Sequence, residues 1–226
     1  MYSGFFKRLL DFILALCAIV ALSPLLLLLT LLGAIKMKGN PFFVQPRPGR
    51  HERIFRLVKF RTMTCETDAE GRLLPDEVRL TPYGRFLRST SLDELPELFN
   101  ILKGDMAIVG PRPLLVRDMV FMTPEQRERH SVRQGLTGLA QVNGRNAVTW
   151  EQKLDFDRQY LSRITFLGDL SIILKTAMKV VQREGITEEG QATAMDFGDS
   201  LLHDGKINLE EYRYGQEQAR RLLVDY

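Results

Sequence analysis

The sequence predicts an α+β chain dominated by helix and tied to a membrane by its N-terminus. Three observations predict it. One long apolar run opens the chain, two β-like runs joined by a turn signal follow it, and most of the remainder has helical spacing. The 226 residues, 45% hydrophobic and 26% charged, suit one or at most two domains and exclude global disorder. A polytopic membrane protein is excluded too, because the apolar residues concentrate in that one run.

The run covers residues 9–35, 27 positions with a single charge, Asp11. It is longer than the core of a secretory signal, and Gly33-Ala34-Ile35 leads straight into Lys36 without a cleavage site. About 20 apolar residues suffice to cross a bilayer. Lys7 and Arg8 precede the run, however, and Lys36 and Lys38 follow it. The positive-inside rule holds both pairs on the cytoplasmic face, which one straight helix cannot satisfy. Ser23-Pro24 interrupts the centre. Pro24 cannot donate to the carbonyl of Val20, and the Ser23 hydroxyl can back-bond to a freed carbonyl. A re-entrant helix–break–helix meets all these conditions; from the residues alone, a Pro-kinked spanning helix stays open beside it.

Phe42-Phe43-Val44-Gln45 and Ile54–Phe60 read as a hairpin turning at Pro46-Arg47-Pro48-Gly49. Alternation in the second run sets Ile54, Arg56, Val58 and Phe60 on one face, with Phe55, Leu57, Lys59 and Arg61 on the other. Residues 64–77 are polar and read as an exposed loop. Helical patterning returns at 82–88 and from about 91 to 103, ending near Gly104. Gly110-Pro111-Arg112-Pro113 is irregular. Thr123 and Pro124 open a helix over 124–133. Residues 134–147 read as loop around a short strand, and 150–164 and 167–183 as helices, the second amphipathic enough to lie on a membrane.

Charge is uneven. Residues 184–226 hold 4 Lys/Arg against 10 Asp/Glu, leaving a balance of +9 on 1–183. A basic body implies an anionic partner, whether nucleic acid, a membrane surface or a phosphorylated substrate. Cys17 and Cys65 form no disulfide framework and fit a reducing, cytoplasmic context. No Walker A, dinucleotide fingerprint or H-E-x-x-H occurs, and His51, His130 and His203 lack zinc-ligand spacing.

What remains is carboxylate chemistry among cations. Asp76-Glu77 lies in a polar loop. Asp93-Glu94 lies in Arg88-Ser-Thr-Ser-Leu-Asp93-Glu94-Leu-Pro96-Glu97, at the start of an apolar helix. Two capping readings are open. Ser91 and Glu94 form a capping box, which puts Pro96 at the fifth helical position; with Asp93 as N-cap, Pro96 falls harmlessly at the third. A helix N-terminus also favours phosphate, and a carboxylate there can attack phosphorus once cations neutralise the phosphate. A neighbouring carboxylate can hold Mg²⁺. Lys59, Arg61, Arg85, Arg88, Arg112 and Arg145 supply cations, with Arg112 and Arg145 pinned by adjacent proline or Asn-Gly.

These residues carry a resemblance. Lys7-Arg8-Leu-Leu-Asp11-Phe, Ser23-Pro24, Gln45-Pro46-Arg47-Pro48-Gly49, Lys59-Phe60-Arg61-Thr62-Met63 and the Asp93-Glu94 segment are followed by Phe99-Asn100-Ile-Leu-Lys103-Gly104-Asp105-Met106, Gly110-Pro111-Arg112-Pro113 and Gly135-Leu-Thr-Gly138-Leu-Ala-Gln141-Val-Asn143-Gly144-Arg145. In order and spacing the chain resembles the bacterial sugar transferases, the monotopic polyprenol-phosphate phosphoglycosyl transferases, and among them the small enzymes that start bacterial N-linked glycan assembly.

The resemblance implies a re-entrant membrane helix over 1–38, broken at Ser23-Pro24. It implies a cytoplasmic catalytic domain over 39–195 on the inner membrane, with a hairpin and interfacial helices. Asp93 is then the nucleophile, Glu94 the Mg²⁺ ligand, and Lys59, Arg88, Arg112 and Arg145 the phosphate-binding cations. Asp157 matches a further supporting position. A UDP-sugar, polyprenol phosphate and membrane phospholipids are the implied partners. Nucleic acid is not expected, and a homo-oligomer is compatible with the sequence. Residues 196–226 extend past this family core as an acidic, helical tail. Asp204-Gly205 there resembles half an EF-hand loop, but Ser200 and Leu202 are poor Ca²⁺ ligands. Two rivals stay in view: a non-catalytic membrane adaptor with a basic face, and a glycosyltransferase that releases UDP rather than UMP.

Overall fold

The computed structural model describes residues 2–144, 148–182, 195–224 and 226. Helix α1 runs from Lys7 to Lys36, 30 residues and about 45 Å at 1.5 Å per residue. Helical geometry continues through Ser23 and Pro24, so the expected helix–break–helix is corrected to one helix with a missing rung. Ser23 Oγ donates to Val20 O at 2.8 Å, filling the place that Pro24 leaves without a donor. One substituted hydrogen bond is cheaper than two new helix ends, each with its orphan backbone groups.

Helix α1 is docked at both ends. Near its start Lys7 pairs with Asp169 at 2.6 Å, Arg8 donates to the carbonyls of Ile101 and Leu102, and Asp11 accepts from Ile108 N. Near its end Tyr83 donates to Leu29 O, and Gly33 packs on Pro41 so closely that a Cβ would collide. Ala15, Leu26 and Leu29 are buried between these points, while Val20, Leu27, Leu28, Leu31 and Ile35 are exposed.

Strands β1 (Phe42–Pro48) and β2 (Ile54–Phe60) form the hairpin, antiparallel, with Phe42 opposite Phe60 and Pro48 opposite Ile54. The turn lies later than expected, around Arg50–Glu52, because Pro46 and Pro48 belong to the strand. A two-stranded sheet has only edge strands, where proline is tolerated. Phe55 and Leu57 bury one face of β2 in a cluster with Ala15, Leu98, Ile101 and Met106. Phe60 buries the other against Leu26, Leu29 and Leu87.

A four-residue helix α2 (Asp76–Arg79) closes the polar loop, and α3 (Pro82–Ser89) begins at Thr81, whose Oγ1 accepts from Gly84 N. Helix α4 (Glu97–Lys103) ends at Gly104, φ +101°. Parallel strands β3 (Met106–Val109) and β4 (Gln134–Thr137) flank α5 (Val116–Met119) and α6 (Pro124–Arg127). The expected helix over 124–133 is therefore only one α-turn, continued by the 3₁₀ turn Glu128–Ser131, though Thr123 caps it as read. Strand β3, which the sequence reading lacked, is a four-residue apolar run too short for alternation to declare. Then come α7 (Leu139–Val142), α8 (Trp150–Ser162) and α9 (Phe166–Gln182). Helix α9 shows an exposed stripe of Phe166, Leu167, Leu170, Leu174 and Met178. The tail forms α10 (Phe197–His203) and α11 (Leu209–Val224).

Candidate active site

The Asp93-Glu94 pair sits in a 3₁₀ turn, Leu92–Glu94, just before α4. Both capping readings are corrected. Ser91 takes a left-handed conformation, φ +55°, with no side-chain cap bond, and α4 begins only at Glu97. The N–H groups of Glu94 and Leu95 bond the carbonyls of Ser91 and Leu92, and those of Leu98 and Phe99 bond Leu95 and Pro96. The N–H groups of Glu94, Leu95, Leu98 and Phe99 are thus engaged within the chain, so the turn presents fewer free donors than an uncapped helix N-terminus would. Leu92 and Leu95, flanking the pair, pack into the cluster that holds Leu26 and Leu29 of α1. The acidic pair is thereby fixed to α1.

Two carboxylates and two cations interlock here, beside Asp93. Lys59 Nζ lies 2.8 Å from Glu94 Oε1 and 3.0 Å from Glu97 Oε1. Arg112 Nη2 meets the same Glu94 oxygen at 2.7 Å. Asp93 is different: among the described residues no donor bonds its carboxylate. Burial, then the neighbouring Glu94 charge, pushes the Asp93 carboxyl up to about 6, against the pull of Lys59, Arg112 and Arg88. Burial opposes ionisation of Glu94 as well, but Arg112 and Lys59 outweigh it and hold that carboxyl far below the usual range. Burial carries Glu97 up to about 7, with Lys59 opposing it and Glu94 reinforcing it. Burial would lower Lys59, yet the two glutamates together raise it. The pair therefore divides into a fixed anion, Glu94, and a carboxylate, Asp93, that accepts no hydrogen bond among the described residues.

The segment carrying Arg112 is held group by group. Gly110 N donates to Thr137 O at 2.9 Å, and Pro111 O accepts from Gly135 N at 2.8 Å. Arg112 O accepts from Arg129 Nη2 at 2.7 Å, and Pro113 O accepts from Arg47 Nη1 at 3.1 Å. A Cβ on Gly110, Gly135 or Gly138 would run into the opposing backbone, so these backbones meet only because all three are glycine. Asp157 belongs to this support. Its carboxylate takes Arg129 Nε at 2.9 Å and Nη2 at 2.8 Å, and both side chains are at least 95% buried. Asp157 reaches the site through Arg129 and the Arg112 carbonyl.

Of the residues read from the sequence, Lys59, Asp93, Glu94 and Arg112 come together. Arg88 donates to Thr62 Oγ1 at 3.2 Å and contributes to the field on Asp93. Asp157 lies behind the site, and Arg145 falls outside the described residues. Sequence reading missed Glu97, Arg47 and Arg129. Glu97 carried a signal, since an acid between Pro96 and Leu98 occupies a core-facing position and is 2% exposed. Arg129 sits in a charged stretch indistinguishable from solvated surface.

Among the described residues no three His, Cys, Asp or Glu side chains converge as a cage for a metal. Mg²⁺ is usually held by one or two carboxylates plus substrate phosphates. Glu94 fits that donor set, because both of its cationic hydrogen bonds fall on Oε1 and leave Oε2 as a ligand atom.

A family model described as bacterial sugar transferase matches residues 2–183. The uncharacterized sugar transferase EpsL of Bacillus subtilis is 47% identical over 191 residues, which is 84% of this chain and 95% of that one. The undecaprenyl-phosphate galactose phosphotransferase of Salmonella typhimurium is 35% identical over 201 residues, 81% of this chain. The UDP-glucose:undecaprenyl-phosphate glucose-1-phosphate transferase of Klebsiella pneumoniae is 37% identical over 184 residues, 77% of this chain. The chain spans 42% and 40% of the length of these last two relatives.

Proposed function

The chain belongs to the bacterial sugar transferase family, and from that membership we propose that it moves a sugar-1-phosphate from a UDP-sugar to undecaprenyl phosphate in the membrane, releasing UMP. It is a membrane-associated polyprenol-phosphate sugar-phosphate transferase, in keeping with the names of its relatives. The observation that carries the reading is the Asp93 carboxylate, bonded by no donor among the described residues, beside the interlocked Glu94, Lys59 and Arg112 on a turn packed against α1.

In the first step an Asp93 carboxylate oxygen bonds to the sugar-proximal (β) phosphorus. The bond from that phosphorus to the bridging oxygen breaks, and UMP leaves with the electron pair. In the second step an oxygen of undecaprenyl phosphate attacks the same phosphorus. This frees the Asp93 carboxylate and forms the diphosphate-linked sugar. Arg112, Lys59 and Arg88 neutralise the phosphates so that one anion can approach another. Glu94 would hold Mg²⁺ together with the substrate phosphates, and the ion would shield charge and favour departure of UMP.

The lipid substrate stays in the bilayer, so the nucleophile must sit at its surface. The contacts of α1 support a monotopic arrangement, with the helix and the folded domain kept to one side of the bilayer, which we place on the cytoplasmic face. Arg8 and Leu29 both bond the folded domain, though 21 helical residues separate them, about 32 Å at 1.5 Å per residue. That is about the thickness of the hydrocarbon core, so a helix crossing it could not keep both ends on a domain lying on one side. The apolar stripe of α9 fits a helix lying on the same surface.

Trapping with radiolabelled UDP-glucose, UDP-galactose or UDP-N-acetylglucosamine tests the covalent step. Label should appear on the wild type and not on Asp93→Ala. Equal labelling of the two would remove Asp93 as nucleophile, and release of UDP instead of UMP would favour an ordinary glycosyltransferase.

A further inference from the structure

Residues 196–224 lie beyond the family-matched region and make no contact with the carboxylates, yet they dock on the segment that follows Arg112. Asp118 of α5 is 2% exposed and divides its two oxygens. Oδ2 accepts from Leu115 N at 2.9 Å and fixes the exit of the Arg112 segment, while Oδ1 accepts from Phe197 N at 3.0 Å and holds the first residue of α10. Beside it Arg117 pairs with Asp196.

Phe121 forms the second attachment. Its ring enters between Gly198 of α10 and Gly215 of α11, and a Cβ on either glycine would overlap it. Tyr212 stacks on the same ring, centroids 5.8 Å apart and planes 11° off parallel. Ala219 of α11 is buried with Val116 and Met119 of α5, and Phe197 is buried with Met122 and Leu154. Every one of these contacts lands between Leu114 and Met122 or on α8, the helix that supplies Asp157.

We propose that the C-terminal helices are a brace for Arg112: docked on Asp118 and Phe121, they fix the Arg112 segment from its exit as Arg129 and Arg47 fix it from within. Asp118 and Phe121 are positioning residues. They touch neither substrate nor the reacting atoms and act only through where Arg112 is held. A misplacement on the order of 1 Å at such a group costs about a hundredfold in rate, so an extension with no chemical group of its own governs the rate. This inference rests on the transferase reading above.

The test uses full-length enzyme carrying Gly198→Val and Gly215→Val, with and without Arg112→Lys. UMP release from UDP-glucose, UDP-galactose and UDP-N-acetylglucosamine with undecaprenyl phosphate gives the rate. Trypsin cutting at Arg213 and Arg220 reports release of the tail. An inactive wild type would fail the transferase reading, whereas an active one isolates the brace. The valine variant should become trypsin-sensitive and lose at least tenfold in kcat/KM. On the Arg112→Lys background the same valines should cost less than twofold, because both changes act through one group. A tenfold loss repeated in full on that background would overturn the brace. So would a released tail with wild-type rate, or a tail that stays protected with both valines in place. If the valines abolish the cooperative thermal transition, Tyr212→Ala removes the stacked ring without adding volume and carries the same comparison.

Discussion

Replacing Asp157 with leucine strands a buried charge, and the size of the effect can be worked from its contacts. Arg129 meets the Asp157 carboxylate through a hydrogen bond from Nε at 2.9 Å and an ion-pair contact from Nη2 at 2.8 Å, and donates from Nη2 to Arg112 O at 2.7 Å; its side chain is 1% exposed. Asp157→Leu removes the first two and leaves the guanidinium without an anion where water cannot reach it. Breaking one side of such a pair costs about 3–5 kcal/mol. At about 2–4 °C per kcal/mol for a chain of this size, the melting temperature should fall by about 6–20 °C. Arg129→Met should cost about as much, since it strands the carboxylate. The double variant Arg129→Met/Asp157→Leu should recover most of the loss. Exchanging a buried pair for apolar side chains is neutral or better, offset by about 1–3 kcal/mol for an Arg112 carbonyl left without its donor. Activity should stay low in the double variant, because that carbonyl is no longer held. Slow-scan thermal unfolding in detergent, followed by circular dichroism, gives the stabilities, and UMP release gives the rates. Losses that simply add in the double variant would refute the pairing argument. A double variant restored in both stability and rate would refute the link from Asp157 to Arg112.

Four further outcomes follow from the same geometry. The Asp93 carboxyl is raised from 3.8 to about 6 by burial first and by Glu94 second. Because kcat/KM reports the free enzyme, it should fall about tenfold per pH unit below 6, and a flat profile between pH 5 and 7 would contradict it. A raised carboxyl contributes stability that is full below pH 3.8 and lost as pH rises through 6. Asp93→Asn should accordingly stabilise the protein by about 1–3 kcal/mol at pH 7.5 and by nothing near pH 3.5, read from paired unfolding curves in EDTA. Lys59→Met leaves Glu94 and Glu97 without their shared cation. It should lower UMP release by about 10²–10³-fold, and a loss under threefold would remove Lys59 from the site. Gly4→Cys and Gly39→Cys, placed at open positions flanking α1 in a chain with Cys17 and Cys65 replaced, should both react with an impermeant maleimide from the same side of oriented vesicles. Labelling from opposite sides would mean a spanning helix.

How much of this was legible varies with the range of the interaction. The membrane helix was readable because 27 consecutive residues declare it locally, and even the role of the Ser23 hydroxyl followed from its place three residues beyond Val20. The hairpin was readable from two apolar runs, but not its turn, because Pro46 and Pro48 signal a bend that an edge strand has no need to make. The caps proposed for Ser91 and Asp93 failed for a related reason. Local geometry there answers to Leu92 and Leu95 packing on α1, and that contact outweighs one capping bond.

The sequence by itself determined the chemistry available: an apolar anchor, an acidic pair, and a supply of cations in the order shared by a family. Only the tertiary structure decided which of those charges meet. Lys59 and Arg112 reach Glu94 across 35 and 18 residues, while Asp93, one position away, accepts no hydrogen bond among the described residues. Nor does any local pattern announce that Glu97 shares Lys59, or that Asp157 acts through Arg129 and a backbone carbonyl. A residue's type fixes the charge it can carry. Its burial and its nearest opposite charge decide whether that charge is kept, neutralised or left free to react, and both are properties of segments distant in the chain.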